Sequence, residues 1–432
     1  MMKHCLSFAL LIVCALSLWA QPVRELNRLP TSALLPGSQA YAFSNPQGVL
    51  LLFQTGKGAE VLHLDEDMQL IKRFALTDLP PSSEVKQLGF TYRQGQLSIV
   101  YRAYESDEIQ VLQVQTDSER SELFRMDMSE LFAGSTQWAN FTYQGALHMI
   151  RLTRGGDQIR LCRFEGGRNF HAEVFDLTTL RLNYEIQEQV VRIDSSNRHQ
   201  LGQTYLPAKI YLEGNQLYFT LDQEGKTTVA QIDLDRQHKQ EYHLPYPTGQ
   251  GRSNSLLAGM NLYQLSATAD SLYLCIQDLR SQQALATYAY GPGDQLDLRS
   301  GPVLWREGKQ QTPQDQTLSS LLTRWGDAPA LALALQQPAE DLVELSLGAV
   351  WTQRNHGLTG VVIDEQVSSL AFPCLLDLRT LGPAGPQTPA LVSKDLSLDR
   401  LRRGGLPVQF AIGGQRYYGY YDAATGEYVI GR

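Results

Sequence analysis

The chain has 432 residues, 43% of them hydrophobic, with 37 Lys and Arg against 45 Asp and Glu for a net charge of −8. The hydrophobic content argues against a disordered chain, and a mildly acidic balance without long basic runs argues against nucleic acid and anionic membrane surfaces as partners. The length allows two or three average domains or one large repeat array, and 35 Gly with 20 Tyr suit a turn-rich all-β protein.

The N-terminus reads as a targeting segment. Lys3 and His4 give a positive start, Cys5 to Trp19 is apolar, and Ala20 precedes Gln21-Pro22. This pattern predicts a secretory signal cleaved between Ala20 and Gln21; the apolar run is short for a bilayer span. Val13 before Cys14 is not the small residue that a lipoprotein cleavage wants. No later run is long enough to cross a membrane, so the mature chain is expected to carry no span. Loss of residues 1–20 removes one charge, Lys3, and leaves 36 basic against 45 acidic residues. It also removes Cys5 and Cys14. The odd set Cys162, Cys275 and Cys374 allows one disulfide at most, and each sits in an apolar run as a small buried hydrophobe would.

After a lead-in with Pro22, Pro30 and Pro36, read as irregular, a repeating pattern begins. Its clearest copy is Tyr211 to Asp235, YLEGNQLYFTLDQEGKTTVAQIDLD. Leu217, Phe219 and Leu221 alternate with Tyr218 and Thr220, and Val229, Ile232 and Leu234 continue the apolar set, so the period is that of strands. Gly214-Asn215 and Gly225 supply the positive φ of tight hairpins. Tyr218 and Thr220 are only half polar, which predicts that this second face is also covered, by a sheet on either side. Looser copies run from Ser44 to Asp65, Tyr92 to Asp117, Tyr143 to Gly167, Ser266 to Gly293, Asp327 to Gly348 and Ile412 to Gly431. The turn positions Gly48, Gly95, Gly145, Gly214 and Asp270 lie 47, 50, 69 and 56 residues apart, about the length of a propeller blade.

The regularity breaks in two places. After Gly167, Arg181 to Asp194 fits a strand and, less well, a helix face. Beyond Trp325 the repeat is weakest until Ile412. Tyr246 to Ser255 and Arg379 to Pro389 read as loops. Glu307 to Ser319 is a polar, Gln-rich link and the best internal boundary, so residues 41–306 and 320–432 form an alternative partition to one domain over 21–432. The strands around Asp422 to Gly426 are expected to share a sheet with Val49 to Phe53, which would close a ring and remove free edges.

No catalytic signature stands out. His63, His148, His171, His199, His238, His243 and His356 are scattered, without zinc spacing. Asp65-Glu66-Asp67 and Asp233 with Asp235 lack the glycine and oxygen set of a calcium loop and read as turn formers. There is no nucleophile elbow, H-E-x-x-H or phosphate-cradling loop, so no cofactor or metal is expected and no catalytic residue is assigned. Arg400, Arg402 and Arg403 read as the end of a short helix. Tyr417, Tyr418, Tyr420 and Tyr421 read first as inter-sheet packing, with a sugar platform as the functional alternative. Trp138, Trp305, Trp325 and Trp351 read as core.

From Tyr41 to Arg432 the hairpin series resembles β-propeller-like secreted bacterial proteins at the level of architecture; it carries no Trp-Asp, kelch or Asp-box motif. The expected fold is all-β, a propeller-like ring of about six or seven antiparallel sheets. The expected role is an exported binding or scaffold protein presenting loops to a protein or glycan partner, in the periplasm, outside the cell or on its surface. The alternative is a secreted polysaccharide hydrolase or lyase with carboxylates in the funnel.

Overall fold

The computed structural model describes residues 25–31, 38–45, 48–55, 58–81, 83–104, 106–180, 182, 189–194, 197–223, 225–246, 251–307, 310–339, 341–356, 362–384, 405–412 and 415–432. The signal, with Ala20 and Gln21, and the Arg400 to Arg403 cluster lie outside them. The described residues form seven sheets of four or five strands in a propeller-like arrangement. We number the sheets in chain order. Sheet 1 spans 39–76, sheet 2 spans 85–127, sheet 3 spans 135–176, sheet 4 spans 190–245, sheet 5 spans 252–290 and sheet 6 spans 303–377. Sheet 7 joins Glu25–Pro30 to the C-terminal strands Gly405–Ile412, Gln415–Asp422 and Glu427–Gly431. Sheets 1, 2, 3 and 5 are plain four-stranded antiparallel meanders.

The period-two pattern explains how the sheets stack. In sheet 1, Val49, Leu51 and Phe53 pack with Phe410, Tyr428 and Ile430 of sheet 7, while Leu50 and Leu52 pack with Phe90 and Ile99 of sheet 2. Residues of opposite parity on one strand point to opposite faces, so a run buried on both faces is apolar throughout. The same split sends Leu147 and Met149 toward sheet 2 and Ile150 and Leu152 toward sheet 4. Tyr211 and Tyr218 face sheet 5, and Ile210 and Phe219 face sheet 3. The half-polar face of the lead unit is therefore covered, as its composition predicted: Tyr218 and Thr220 are buried. Each fully buried Leu contributes roughly 1.5–3 kcal/mol before conformational entropy is counted.

Three expectations need correction. The strand that closes sheet 7 is Glu25–Pro30, paired antiparallel with Glu427–Gly431, and not Val49 to Phe53, which lies in sheet 1 and meets sheet 7 face to face through Phe53 and Tyr428. The lead-in looked irregular because only Leu29 of that strand is buried and Pro30 ends it. Within Tyr246 to Ser255, residues from Arg252 already belong to a strand. Within Glu307 to Ser319, Gln310–Gln314 is a strand, and Val303–Glu307 before the link pairs with Val362–Asp377 after it. The chain on both sides of that link thus contributes to one sheet.

Among the described residues three α-helices lie between or within sheets, besides the 3-10 turn Thr178–Leu180: α1, Ser129–Phe132; α2, Leu201–Thr204; and α3, Leu318–Asp327. In α3, Thr317 caps the first turn by accepting from the Ser320 amide at 3.3 Å. Leu318, Leu321, Leu322 and Trp325 form its buried stripe, and Trp325 stacks on Phe372 of sheet 6. No helix of the described residues is long and apolar enough to cross a membrane.

Candidate functional site: a polar cavity between sheets 4, 5 and 6

Sheets 4 and 6 depart from the four-stranded pattern. In sheet 4, Val190–Ile193 adds a strand parallel to Ala208–Glu213. The chain between them forms α2 and reaches past sheet 5 to sheet 6: Leu201 packs with Ala332, Ala334, Val350 and Ala371, and the Leu335 amide donates to the Arg198 carbonyl at 2.9 Å. In sheet 6, Leu342–His356 and Val362–Asp377 are 15 and 16 residues long, about twice the usual strand here. These additions wall a cavity of about 570 Å³. Tyr205 and Pro207 come from the α2 segment and its exit, Asp222 and Gln223 from sheet 4, Arg252 to Asn254 from sheet 5, and Val350 and Thr352 from sheet 6.

The wall at Asp222 is a buried polar network. Its register follows from strand pairing: Lys209 lies opposite Thr220, so Lys209, Thr220 and Asp222 share the face turned to sheet 5. Lys209 Nζ is 3.1 Å from Asp222 Oδ2, and both side chains are almost wholly excluded from solvent. The same oxygen accepts from the Ser255 amide at 2.9 Å. Oδ1 accepts from Thr227 Oγ1 at 2.8 Å and from the Tyr246 hydroxyl at 2.7 Å. Burial alone would raise the Asp222 pKa, but Lys209 and these donors outweigh it and hold the carboxyl below its usual range. Burial and the adjacent carboxylate push the Tyr246 phenol well up. Gln264 extends the network by donating to Thr227 Oγ1 and to the Leu244 carbonyl, each at 3.1 Å.

Beside this saturated carboxylate the buried wall holds an unmatched acceptor. Asn254 is 1% exposed; its Nδ2 donates to the Tyr205 carbonyl at 3.0 Å, and its Oδ1 has no partner. A second cavity of about 400 Å³ adjoins the first and shares Gly251 and Arg252 with it. Ala267, Thr268, Thr323, Gly326 and Asp327 line that side. Gly251, which lines both, has φ +117°, and a Cβ there would come within 2.7 Å of the Ala267 carbonyl, so the backbone at this position requires glycine. Among the described residues, Asp222 is the one carboxylate lining the first cavity, and Asp327 the one lining the second.

The residues singled out from sequence fall elsewhere. Among the described residues no group of His, Cys, Asp and Glu is arranged to hold a metal. His243 meets Thr228 Oγ1 at 3.3 Å on an outer strand. Asp65 accepts from the amides of Asp67 and Gln69, and Asp233 from those of Asp235 and Arg236, so both acidic groups are turn formers. Cys162, Cys275 and Cys374 are free and buried. Tyr417 is buried and stacks on Phe410, while Tyr418 and Tyr420 are half-buried on the other face of their strand. Trp325 is core; Trp305 and Trp351 form a half-buried pair 5.5 Å apart with the Arg324 guanidinium over both rings.

The cavity residues were not singled out, because Asp222 precedes a turn and Arg252 to Asn254 sit inside a loop-like composition. The available signal was Lys209, a lone cation in the apolar run AKIYL, which a two-sided sheet must pair with an acid.

No protein-family model matches the chain, and no curated protein matches it. Among solved structures it is similar to cobalt-substituted apocarotenoid oxygenase of Synechocystis, at 9% identity and TM-score 0.31, over 59% of this chain. The match covers 62% of the oxygenase chain, somewhat under two thirds of its length. It is also similar to dihydro-heme d1 dehydrogenase NirN in complex with DHE, at 9% identity over 80% of this chain and 69% of that one, with TM-score 0.29. A Lactobacillus plantarum protein aligns at 9% identity over 77% of this chain and 85% of that one, with TM-score 0.28. At such scores these likenesses carry no argument about activity or ligand, and the propeller-like architecture rests on the sheet order of this chain.

Proposed function

We propose that the protein is an exported binding module, cleaved after Ala20, that holds a partner or ligand at the cavity between sheets 4, 5 and 6. One observation carries this reading: the carboxylate in the cavity wall is already committed to Lys209 and three further donors. General acid–base or nucleophilic chemistry needs a carboxylate free to take a proton or attack, and glycoside hydrolysis needs two flanking one bond. A cavity whose one carboxylate among the described residues is committed in this way suits recognition.

The test has two parts. N-terminal sequencing of protein recovered from the exported fraction should begin at Gln21. Immobilised protein should then capture cell-envelope material saturably, and Thr352→Trp, which fills the cavity, should lower that capture at least tenfold. Capture unchanged by Thr352→Trp would remove the cavity from the reading. Time-dependent shortening of a polysaccharide by wild-type protein, abolished in Asp327→Asn, would replace it with the hydrolase.

A further inference from the structure

We infer that two copies of the chain pair through the outer edge of sheet 3, the strand Asn169–Asp176 of one running antiparallel to the same strand of the other, so that the two sheets become one. This surface is separate from the cavity. Residues 146–180 are all described, and among the described residues Asn169–Asp176 has one strand neighbour, Gln158–Gly166. An edge strand presents unpaired amides and carbonyls, and proteins blunt such edges with lysine, proline or a bulge. Asn169–Asp176 carries no Lys, Arg or Pro, and the one irregularity in its pairing falls at its start, between Phe164 and Gly166 of the neighbour. Val174 within it is 56% exposed.

The register selects a second copy as the occupant. A two-fold axis perpendicular to a sheet keeps each face on its own side, so it opposes only residues of equal parity. With the axis at Ala172, Phe170 of each copy meets Val174 of the other, and His171 meets Glu173. Apolar faces apolar, an imidazole N–H faces a carboxylate, and the smallest side chain of the strand, itself exposed, sits at the crossing. An axis at Glu173 would set two carboxylates against each other, and one at Val174 would set Glu173 against Phe175. Phe170 already stacks on Phe164 with centroids 4.6 Å apart, and Glu173 accepts from Gln237 of sheet 4. One member of each pair is thus held in place, which lowers the ordering cost of association. The edge strands of the other meanders lack this match. In Leu70–Leu76 and Arg120–Asp127, every such register over five residues or more sets a charge against itself or against an apolar residue. His238–Pro245 ends in proline and exposes no large hydrophobic residue, and Ala284–Tyr290 is bulged beside Leu285.

The contact is small for an obligate dimer, so monomer and dimer should exchange reversibly. Sedimentation velocity of the purified protein at rising concentration should show both. Ala172→Lys sets two ammonium groups together at the axis and should weaken the dimer about tenfold. Its melting temperature, measured where the wild type is monomeric, should be unchanged, because Ala172 is exposed. At about pH 8, where histidine is neutral, His171→Lys sets a full positive charge against Glu173 of the other copy and should strengthen the dimer about threefold. A protein that stays monomeric at every soluble concentration would overturn the inference, whether the edge is then free, covered by another part of the chain or taken by a different protein. So would a dimer that Ala172→Lys leaves intact, which must form elsewhere. A dimer that His171→Lys fails to strengthen would overturn the register, and the two-fold pairing with it.

Discussion

A few side chains in this protein are held in states that water would not favour, and His148 is the clearest. It is 3% exposed, stacks on Phe141 with centroids 4.9 Å apart, and its Nδ1 lies 3.2 Å from the Ala146 carbonyl. Burial, against that carbonyl and with help from Arg163, pushes its pKa down to about 4. A depressed histidine favours the folded state while the ring is neutral. That stability is fully present above about pH 6.5 and is lost as pH falls from there to about 4. The expected loss over this window is about 3 kcal/mol. Urea unfolding at pH 7 and pH 4 should show it in the wild type, and His148→Leu should show a fall smaller by about that amount; equal falls in both proteins would assign the acid sensitivity elsewhere. Asp222 is the opposite case: its carboxyl is held ionised by a paired cation, so its contribution persists until pH drops below the ordinary carboxylate range of about 4.

Hairpins are the elements, and their turn glycines are not equivalent. Gly145 and Gly214 both have positive φ, at +73° and +61°. A Cβ on Gly145 would lie 2.8 Å from the Tyr92 carbonyl of the neighbouring sheet, whereas one on Gly214 would meet nothing within 4 Å. Asn tolerates the left-handed region, so Gly214→Asn should cost under about 1 kcal/mol. Gly145→Asn should cost about 2 kcal/mol or more, because sheet 3 must also move away from sheet 2. Thermal unfolding of the two variants decides this; equal losses would mean that turn conformation alone, and not the contact between sheets, sets the requirement. The alternation of apolar residues marked most of these hairpins in the sequence. It did not mark Glu25–Pro30, where a single buried Leu29 gives no period to detect.

For the whole molecule, the consequence of that short strand is closure. Glu25–Pro30 covers the free edge of Glu427–Gly431, and Arg28 reaches Asp422 and Glu427 across the pair at 3.5 and 3.3 Å. These ion pairs are exposed and add little; the burial of Leu29 and the pairing of the edge matter more. A chain beginning at residue 32 should lose about 2–4 kcal/mol and self-associate through the bared strand as its concentration rises. Melting curves and light scattering test both, and a truncated chain that melts like the full one and associates no further than it does would show that sheet 7 does not depend on its N-terminal strand.

The series of hairpins, the covering of both sheet faces and the turn-forming role of Asp65 and Asp233 were legible in the chain itself, because each depends on neighbours two to twenty residues apart. Even the place of the site left a trace: the two stretches where the repeat degrades, after Gly167 and beyond Trp325, belong to the sheets whose extra segments wall the cavity. Folding alone decided that Lys209 would meet Asp222, that Asn254 would keep an unused oxygen beside them, and that residues 25–30 would join 427–431. Such pairings are set by which sheets become neighbours and in what register. A period of two is the same on every strand and carries no information about either.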